Sequence, residues 1–189
     1  DAMAALLDEL DRTGSKPASR IDEMQALRAQ MDGEFARLAP QKAWIDAIRA
    51  ELPEDGILIE ELTQISYASR LLWPTYRPRT YLSTGYQGTL GWGYPTALGA
   101  KCANPDRAVV AVHGDGGFMF GVQEMATAVR HNIGVVALVF NDNAYGNVKR
   151  IQQTNYAGRT VASDLTNPDF VKLAESFGMR SQRVTTPDA

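Results

Sequence analysis

Two acids and three glycines carry the clearest chemistry in this chain of 189 residues. An apolar run from Val109 to Val112 ends in Gly114-Asp115-Gly116-Gly117, and a second run from Val135 to Phe140 ends in Asn141-Asp142-Asn143. Both runs are β-branched and too short for helices, which predicts buried parallel strands. Between them Phe118, Val122, Met125 and Val129 recur at helical spacing, giving one apolar face for a crossover helix. A helix of about fourteen residues climbs about 21 Å. A returning strand of about seven covers about 23 Å, so the chain comes back level with its start. If the two strands are neighbours, Asp115 and Asp142 stand at adjacent carboxyl ends, where open α/β sheets bind ligands. Two carboxylates about 5 Å apart repel by about 3 kcal/mol at an effective dielectric of about 20, so the pair calls for a cation. Magnesium suits it, being a hard ion that takes oxygen ligands and shares them with phosphates. Gly116 and Gly117 let backbone N–H groups approach an anion at a helix start. The combination proposes a metal-bridged diphosphate.

The GDG triplet, its spacing to NDN and the following Ala144-Tyr145-Gly146 resemble the magnesium-diphosphate motif of thiamine-diphosphate enzymes, closest to the acetolactate synthase, pyruvate oxidase and benzoylformate decarboxylase group. By that resemblance Asp115 and Asp142 are the side-chain magnesium ligands and Ala144 supplies a backbone carbonyl. Many of the family have Asn at the Asp142 position; the extra charge tightens metal binding. Gly114, Gly116 and Gly117, with Tyr145 and Gly146, match positions that meet the diphosphate. Thr63 and Gln64, just beyond a short strand at Ile57 to Ile59, occupy a further diphosphate position, although the family's small or glycine-rich sequence is missing and a simple helix cap remains the other reading.

Four glycines fall among nine positions from Gly85 to Gly93, with bulky Tyr86, Leu90 and Trp92 between them. Such a stretch is costly unless the backbone needs positive φ or close approach to a ligand. It is similar to the family's second signature, which holds the cofactor rings. That likeness makes Leu90 the apolar prop that bends the cofactor, and gives the Gly88 carbonyl and Leu90 N–H to its aminopyrimidine. In the family a glutamate on a separate pyrimidine-binding domain, supplied by a partner subunit, activates the cofactor; none is identifiable here. The resemblance therefore implies a homodimer or homotetramer partner and a small 2-oxo acid or aldehyde substrate, decarboxylated with or without carboligation. It further implies that the chain alone is inactive. Lys149-Arg150-Ile151 stands where acetolactate synthases commonly carry a Trp, which leaves open a benzoylformate decarboxylase-like or aldehyde lyase-like enzyme. A non-catalytic cofactor-binding fragment is the alternative from another class.

Hydrophobic residues make up 44% and charged residues 22%, the balance of a globular protein. A net charge of −3 with mixed signs points to neither nucleic acid nor an anionic membrane as partner. No apolar run reaches membrane-spanning length. A lone Cys102 fits a reducing, cytoplasmic setting and the role of a buried small apolar residue. No GxGxxG follows a strand and no P-loop lysine is present, against a generic nucleotide-binding domain. His113, inside a strand, is expected to be a hydrogen-bonded structural residue.

The elements that must position these residues predict an α/β, doubly wound, mainly parallel sheet flanked by helices, the thiamine-diphosphate-binding fold, with an N-terminal helical appendage. Residues 1–40 read as a helical linker or the tail of a preceding domain. A first helix covers Ala2 to Leu10, and Ser19 caps a second with an apolar stripe of Ile21, Met24, Met31, Phe35 and Leu38. Residues 41–189 read as the diphosphate-binding domain, cut short at its C-terminus. In it Pro40 opens a helix, Ser66 to Trp73 is helical, Tyr81 to Ser83 is a strand and Pro95 starts a helix through Ala103. Asn147 to Gln153 and Pro168 to Phe177 are helices, and Arg180 to Val184 is a last strand.

Overall fold

The computed structural model describes residues 1–14 and 18–188. It resolves into two compact units, Asp1–Ala39 and Pro40–Ala189.

In the first unit, helix α1 (Ala2–Thr13) starts at Asp1, whose carboxylate accepts the Met3 N–H at 3.0 Å, and ends at Gly14 in the left-handed region. Both ends are thus satisfied by short-range capping. Helix α2 (Ile21–Glu34) follows, with the Ser19 hydroxyl accepting the Ile21 N–H at 3.3 Å, although Arg20 rather than Ser19 is the capping residue. The predicted stripe on α2 forms a helix but no core: none of its residues is buried, and Ile21 is 58% exposed.

The second unit is a four-stranded parallel sheet in the order β2-β1-β3-β4. Its strands are β1 (Ile57–Glu60), β2 (Tyr81–Ser83), β3 (Val109–Gly114) and β4 (Val136–Phe140). The register pairs Ile59 with Leu82 and Ala111, and Gly114 with Phe140. Strand alternation sorts the two faces. Ile57, Ile59, Val109 and Ala111 pack with Ala97 of helix α5 (Gly93–Ala103). On the same face Phe118, Met125 and Ala128 cluster with Tyr94, Leu98 and Ala174, the last from helix α9 (Phe170–Ser176). The opposite face takes helix α3 (Ala39–Glu51), whose Trp44 meets Phe140 edge-on at 5.3 Å, and helix α4 (Gln64–Leu72), which buries Ile65 and Ala68. Helices on both faces of a parallel sheet make the arrangement doubly wound.

The chain leaves β1 toward one edge and β3 toward the other, so the strand order reverses between β1 and β3. Ligands of open α/β sheets bind at that reversal. Its carboxyl ends here are Glu60-Glu61 and Gly114-Asp115.

Four expectations need correction. The crossover between β3 and β4 is not one helix but α6 (Asp115–Phe118), a 3-10 turn over Val122–Glu124, and α7 (Met125–Arg130). The break falls at Gly121, where a Cβ would lie 3.2 Å from Pro95 Cδ; the chain gives up helical continuity to let α5 approach. As a result Ala128, not Val129, faces the core, and Val129 is 45% exposed. Residues 180–184 form no strand. They run back along α9, held by Ser181 Oγ on the Val171 carbonyl at 3.0 Å and Arg183 on Asp169 at 3.2 Å, and so never reach the sheet. Cys102 lies exposed on the last turn of α5 rather than buried. His113 is fully buried, yet neither ring nitrogen makes a hydrogen bond; the Tyr94 and Phe118 rings surround it instead.

Candidate functional site

Parallel pairing of β3 and β4 sets Gly114 level with Phe140, so the turns that follow them are neighbours. Asp115 begins α6 and is 1% exposed, with one carboxylate oxygen accepting its neighbour's N–H, from Gly116, at 2.9 Å. Asp142 lies in the more open turn after β4. Burial pushes the Asp142 carboxyl up, and the negative charge of Asp115 pushes it further, so the two acids feel each other. Asp142 Oδ1 accepts the Ala144 N–H at 3.2 Å, and its other oxygen sits so near Gly146 that a Cβ there would lie 2.8 Å from it.

The turn after β4 is pinned by a single antiparallel bridge between Ala144 and Asp164. Tyr145 N–H donates to the Ser163 carbonyl and Leu165 N–H to the Asn143 carbonyl, each at 2.8 Å. The Ala144 carbonyl takes no part in either bond of this bridge. Helix α8 (Gly146–Asn155) then leads away.

Asn167, which sequence reasoning passed over, reaches Asp115, and the side-chain oxygens of Asn141 and Asn143 meet its amide there. Asn167 Nδ2 lies 2.6 Å from Asp115 Oδ2, 2.9 Å from Asn141 Oδ1 and 3.2 Å from Asn143 Oδ1. An NH₂ group has two hydrogens, so three acceptors around one nitrogen are more oxygen than it can use. Converging oxygens of this kind are what a hard cation takes. Among the described residues there is no group of three or more His, Cys, Asp or Glu that could hold a metal. The fit therefore rests on two carboxylates with amide and backbone oxygens, a set that suits an ion also bound by phosphate.

The glycines next to Asp115 have tight neighbours. A Cβ on Gly116 would overlap the Tyr145 ring and lie 3.0 Å from Leu165 Cδ1, while one on Gly117 would overlap Glu61 Oε1. Beside Gly116 opens a cleft of about 300 Å³, lined by Met119, Phe120, Tyr145, Leu165, Thr166 and Asn167. Its mixture of apolar walls and a few polar groups at one end is that of a small-molecule pocket.

The glycine-rich loop reaches the same place from β2. Gly88 and Gly91 have φ of +59° and +78°, the left-handed region that favours glycine. Gly91 packs on Phe120, where a Cβ would come within 2.6 Å of Phe120 Cβ. Leu90 Cδ2 would be 3.4 Å from a Cβ on Gly117. The loop is tied down by Glu61, the residue after β1, which accepts Gly91 N–H at 2.7 Å and Gly93 N–H at 2.6 Å. Burial pushes the Glu61 carboxyl up, but His113 and these two N–H groups outweigh it and hold it below the usual carboxylate range. At 3.5 Å the His113 Nδ1 contact is too long for a hydrogen bond, so the backbone N–H groups do the anchoring.

The structure thus brings together Leu90, Gly114, Asp115, Gly116, Gly117, Asp142, Ala144, Tyr145 and Gly146, while Gly88 packs on Leu62. Thr63 starts α4 without a side-chain cap bond, and its Cβ would be 3.5 Å from a Cβ on Gly114, beside the site. Gln64 is engaged elsewhere, its amide oxygen accepting from Gln41 at 3.3 Å. Of the residues missed, Asn141 and Asn143 flank Asp142 in the sequence and offered a signal. Asn167 and Glu61 offered none beyond their polarity, since only the fold shows what they face.

Comparison with known proteins shows the family. The model for the thiamine pyrophosphate enzyme C-terminal TPP binding domain matches residues 62–189. A probable acetolactate synthase large subunit of Methanocaldococcus jannaschii is 33% identical over 195 residues, covering all of this chain and 33% of that protein. The acetolactate synthase large subunit of Haemophilus influenzae is 34% identical over 197 residues, again all of this chain and 34% of its own length. The chain therefore spans about a third of the length of these relatives. Among solved structures, the thiamine diphosphate-dependent 4-hydroxybenzoylformate decarboxylase of Rhodococcus jostii RHA1 superposes with a TM-score of 0.71 at 32% identity, over 79% of this chain and 28% of that one. With motif, sheet topology and family match in agreement, this chain belongs to the thiamine pyrophosphate enzyme family, as its C-terminal TPP-binding domain.

Proposed function

We propose that this chain holds thiamine diphosphate with Mg²⁺ and forms the diphosphate-binding part of an acetolactate synthase-like enzyme acting on 2-oxo acids. The observation that carries the reading is the meeting of three elements: the turns after β3 and β4 line one cleft through Gly116 and Tyr145, and the Gly88–Gly93 loop packs behind it, Gly91 on Phe120 and Leu90 beside Gly117. Asp115, Asp142 and the Ala144 carbonyl would hold the metal, with Asn141, Asn143 and Asn167 around it. Gly116 and Gly117 would take the diphosphate side, and Leu90 would prop the rings. When bound, the cofactor supplies the carbon nucleophile and electron sink that decarboxylation of a 2-oxo acid needs. The chain's own part is to orient that group, neutralise its charge and shield it with the apolar wall of Met119, Phe120 and Leu165.

Both acetolactate synthases and a 4-hydroxybenzoylformate decarboxylase resemble the chain at about a third identity. Lys149-Arg150-Ile151 on α8 favours the decarboxylase as a second reading. The glutamate that activates the cofactor in this family has no counterpart among the residues around the cleft, so the chain by itself is expected not to turn over substrate. Residues 1–40 serve in this reading as a connection to a preceding domain, and a second subunit completes the site.

Calorimetry tests the reading directly. Thiamine diphosphate should bind only with Mg²⁺ present, Asp115→Ala should abolish that binding while the far-UV circular dichroism is kept, and ADP should not compete. Undiminished binding by Asp115→Ala would overturn it. Turnover of a 2-oxo acid by the chain alone would contradict the shared active site.

A further inference from the structure

We propose that Glu61 is a positioning residue, which fixes the Gly88–Gly93 loop against the Asp115–Gly117 turn and so sets Leu90 at the height the cofactor rings require. The inference rests on the thiamine diphosphate reading above and assigns within it a role that neither motif covers.

Glu61 joins four separate parts of the site. It follows β1, its two oxygens separately accept the Gly91 and Gly93 N–H groups, it faces His113 on β3, and it presses on Gly117 of the metal turn. The side chain is fully buried. With Gly88 and Gly91 at positive φ, the loop has little conformational preference of its own, so its shape comes from what holds it. What holds it is a charge at the N-terminus of α5, where an anion is favoured. For stability alone a buried charge is a poor choice, because an apolar side chain of similar volume serves as well or better. The carboxylate does what an apolar group cannot: it fixes the two N–H groups on either side of Trp92, the first of them one residue beyond Leu90. A side chain whose aim matters to a fraction of an ångström needs that kind of support.

The test separates the two halves of the cofactor. Binding of inorganic diphosphate and of thiamine diphosphate, each with Mg²⁺, is measured by calorimetry for the parent, Glu61→Gln and Glu61→Ala. Diphosphate affinity should stay within about twofold in both variants, because Asp115 and Asp142 are untouched. The extra affinity that the rings add should fall about tenfold in Glu61→Ala, the weight of one hydrogen bond to a charged group. Glu61→Gln, which keeps one acceptor, should lie between, and remains informative if Glu61→Ala does not fold. Leu90→Ala and the double variant with Glu61→Gln should be non-additive, since one acts through the other. An unchanged ring increment, an equal fall for both ligands, or additivity would overturn the role of Glu61. A parent protein that binds diphosphate and thiamine diphosphate alike would overturn the cofactor reading itself.

Discussion

Gly117→Ala sets two physical effects in direct opposition. Gly117 lies in α6 without a positive φ, so helix propensity alone predicts a gain of about 1 kcal/mol. The new Cβ, however, would overlap Glu61 Oε1, lie 3.1 Å from Glu61 Cδ and 3.4 Å from Leu90 Cδ2. The end of a flexible side chain ordinarily swings aside. Glu61 cannot, because it is buried and both oxygens are held by backbone N–H groups at 2.7 and 2.6 Å. Overpacking by one methyl costs about 1–3 kcal/mol. Disturbing a hydrogen bond to a charged group costs about 1.5–3 kcal/mol. After the propensity gain is subtracted, the variant should be less stable by about 1.5–5 kcal/mol. Gly99, on the exposed side of α5, is the control: nothing lies within 4 Å of its Cβ, so Gly99→Ala should gain about 0.5–1 kcal/mol. Urea unfolding followed by tryptophan fluorescence measures both, with an unchanged slope showing that midpoints report stability. A midpoint for Gly117→Ala at or above the parent's would refute the immobility of Glu61.

Further outcomes follow from the charges. Asp142 should protonate at a higher pH than an ordinary aspartate, and Asp115→Asn should lower that midpoint by removing the neighbouring charge, readable by carbon NMR of the carboxyl. Cation affinity should accordingly fall as pH drops through the raised Asp142 midpoint; affinity flat through that range would contradict the coupling. Glu60 is fully buried and held by Arg70 at 2.8 and 2.7 Å, with burial pushing its carboxyl up despite Ser83 and Arg70. Its folded-state pKa is raised, so ionising it opposes folding, and the penalty appears as pH rises through that value. Arg70→Met should therefore destabilise by about 3 kcal/mol at neutral pH, the low end for a buried pair because Arg70 is 34% exposed. The loss should shrink in acid, and a pH-independent loss would point to packing instead. Cys102 should react fully with a thiol reagent in the native protein, whereas protection would contradict its exposed position.

The sequence spoke clearly where a local rule was at work. Short apolar runs bounded by turn residues located β1, β2, β3 and β4, and the two acids lay one or two residues past the ends of β3 and β4 because strand ends there are marked by glycine and asparagine. The breaks in the crossover were less legible: Phe118, Val122 and Met125 keep helical spacing through Gly121, and only the nearness of Pro95 shows why the helix stops. Glu60 and Glu61 look alike in the sequence. One faces Arg70 on α4, the other the amides before α5, and strand parity separates them only once both helices have a place. Asn167 is further still from any local signal, since its neighbours Asp115, Asn141 and Asn143 come from two other loops.

The parallel order β2-β1-β3-β4 also bears on how the chain acquires its structure. No strand is joined to its partner by a hairpin; each pairing waits for a whole crossover to close, and β1 with β3 must wait for β2 and α5 to be placed as well. Such long-range pairing makes for slow folding. The β3–β4 unit can form from contiguous chain, whereas the β1–β3 seam closes late and carries Glu61 with it. Substitutions at Ile59 or Ala111 along that seam should thus act mainly on the unfolding rate, and those at Phe118 or Met125 on the folding rate.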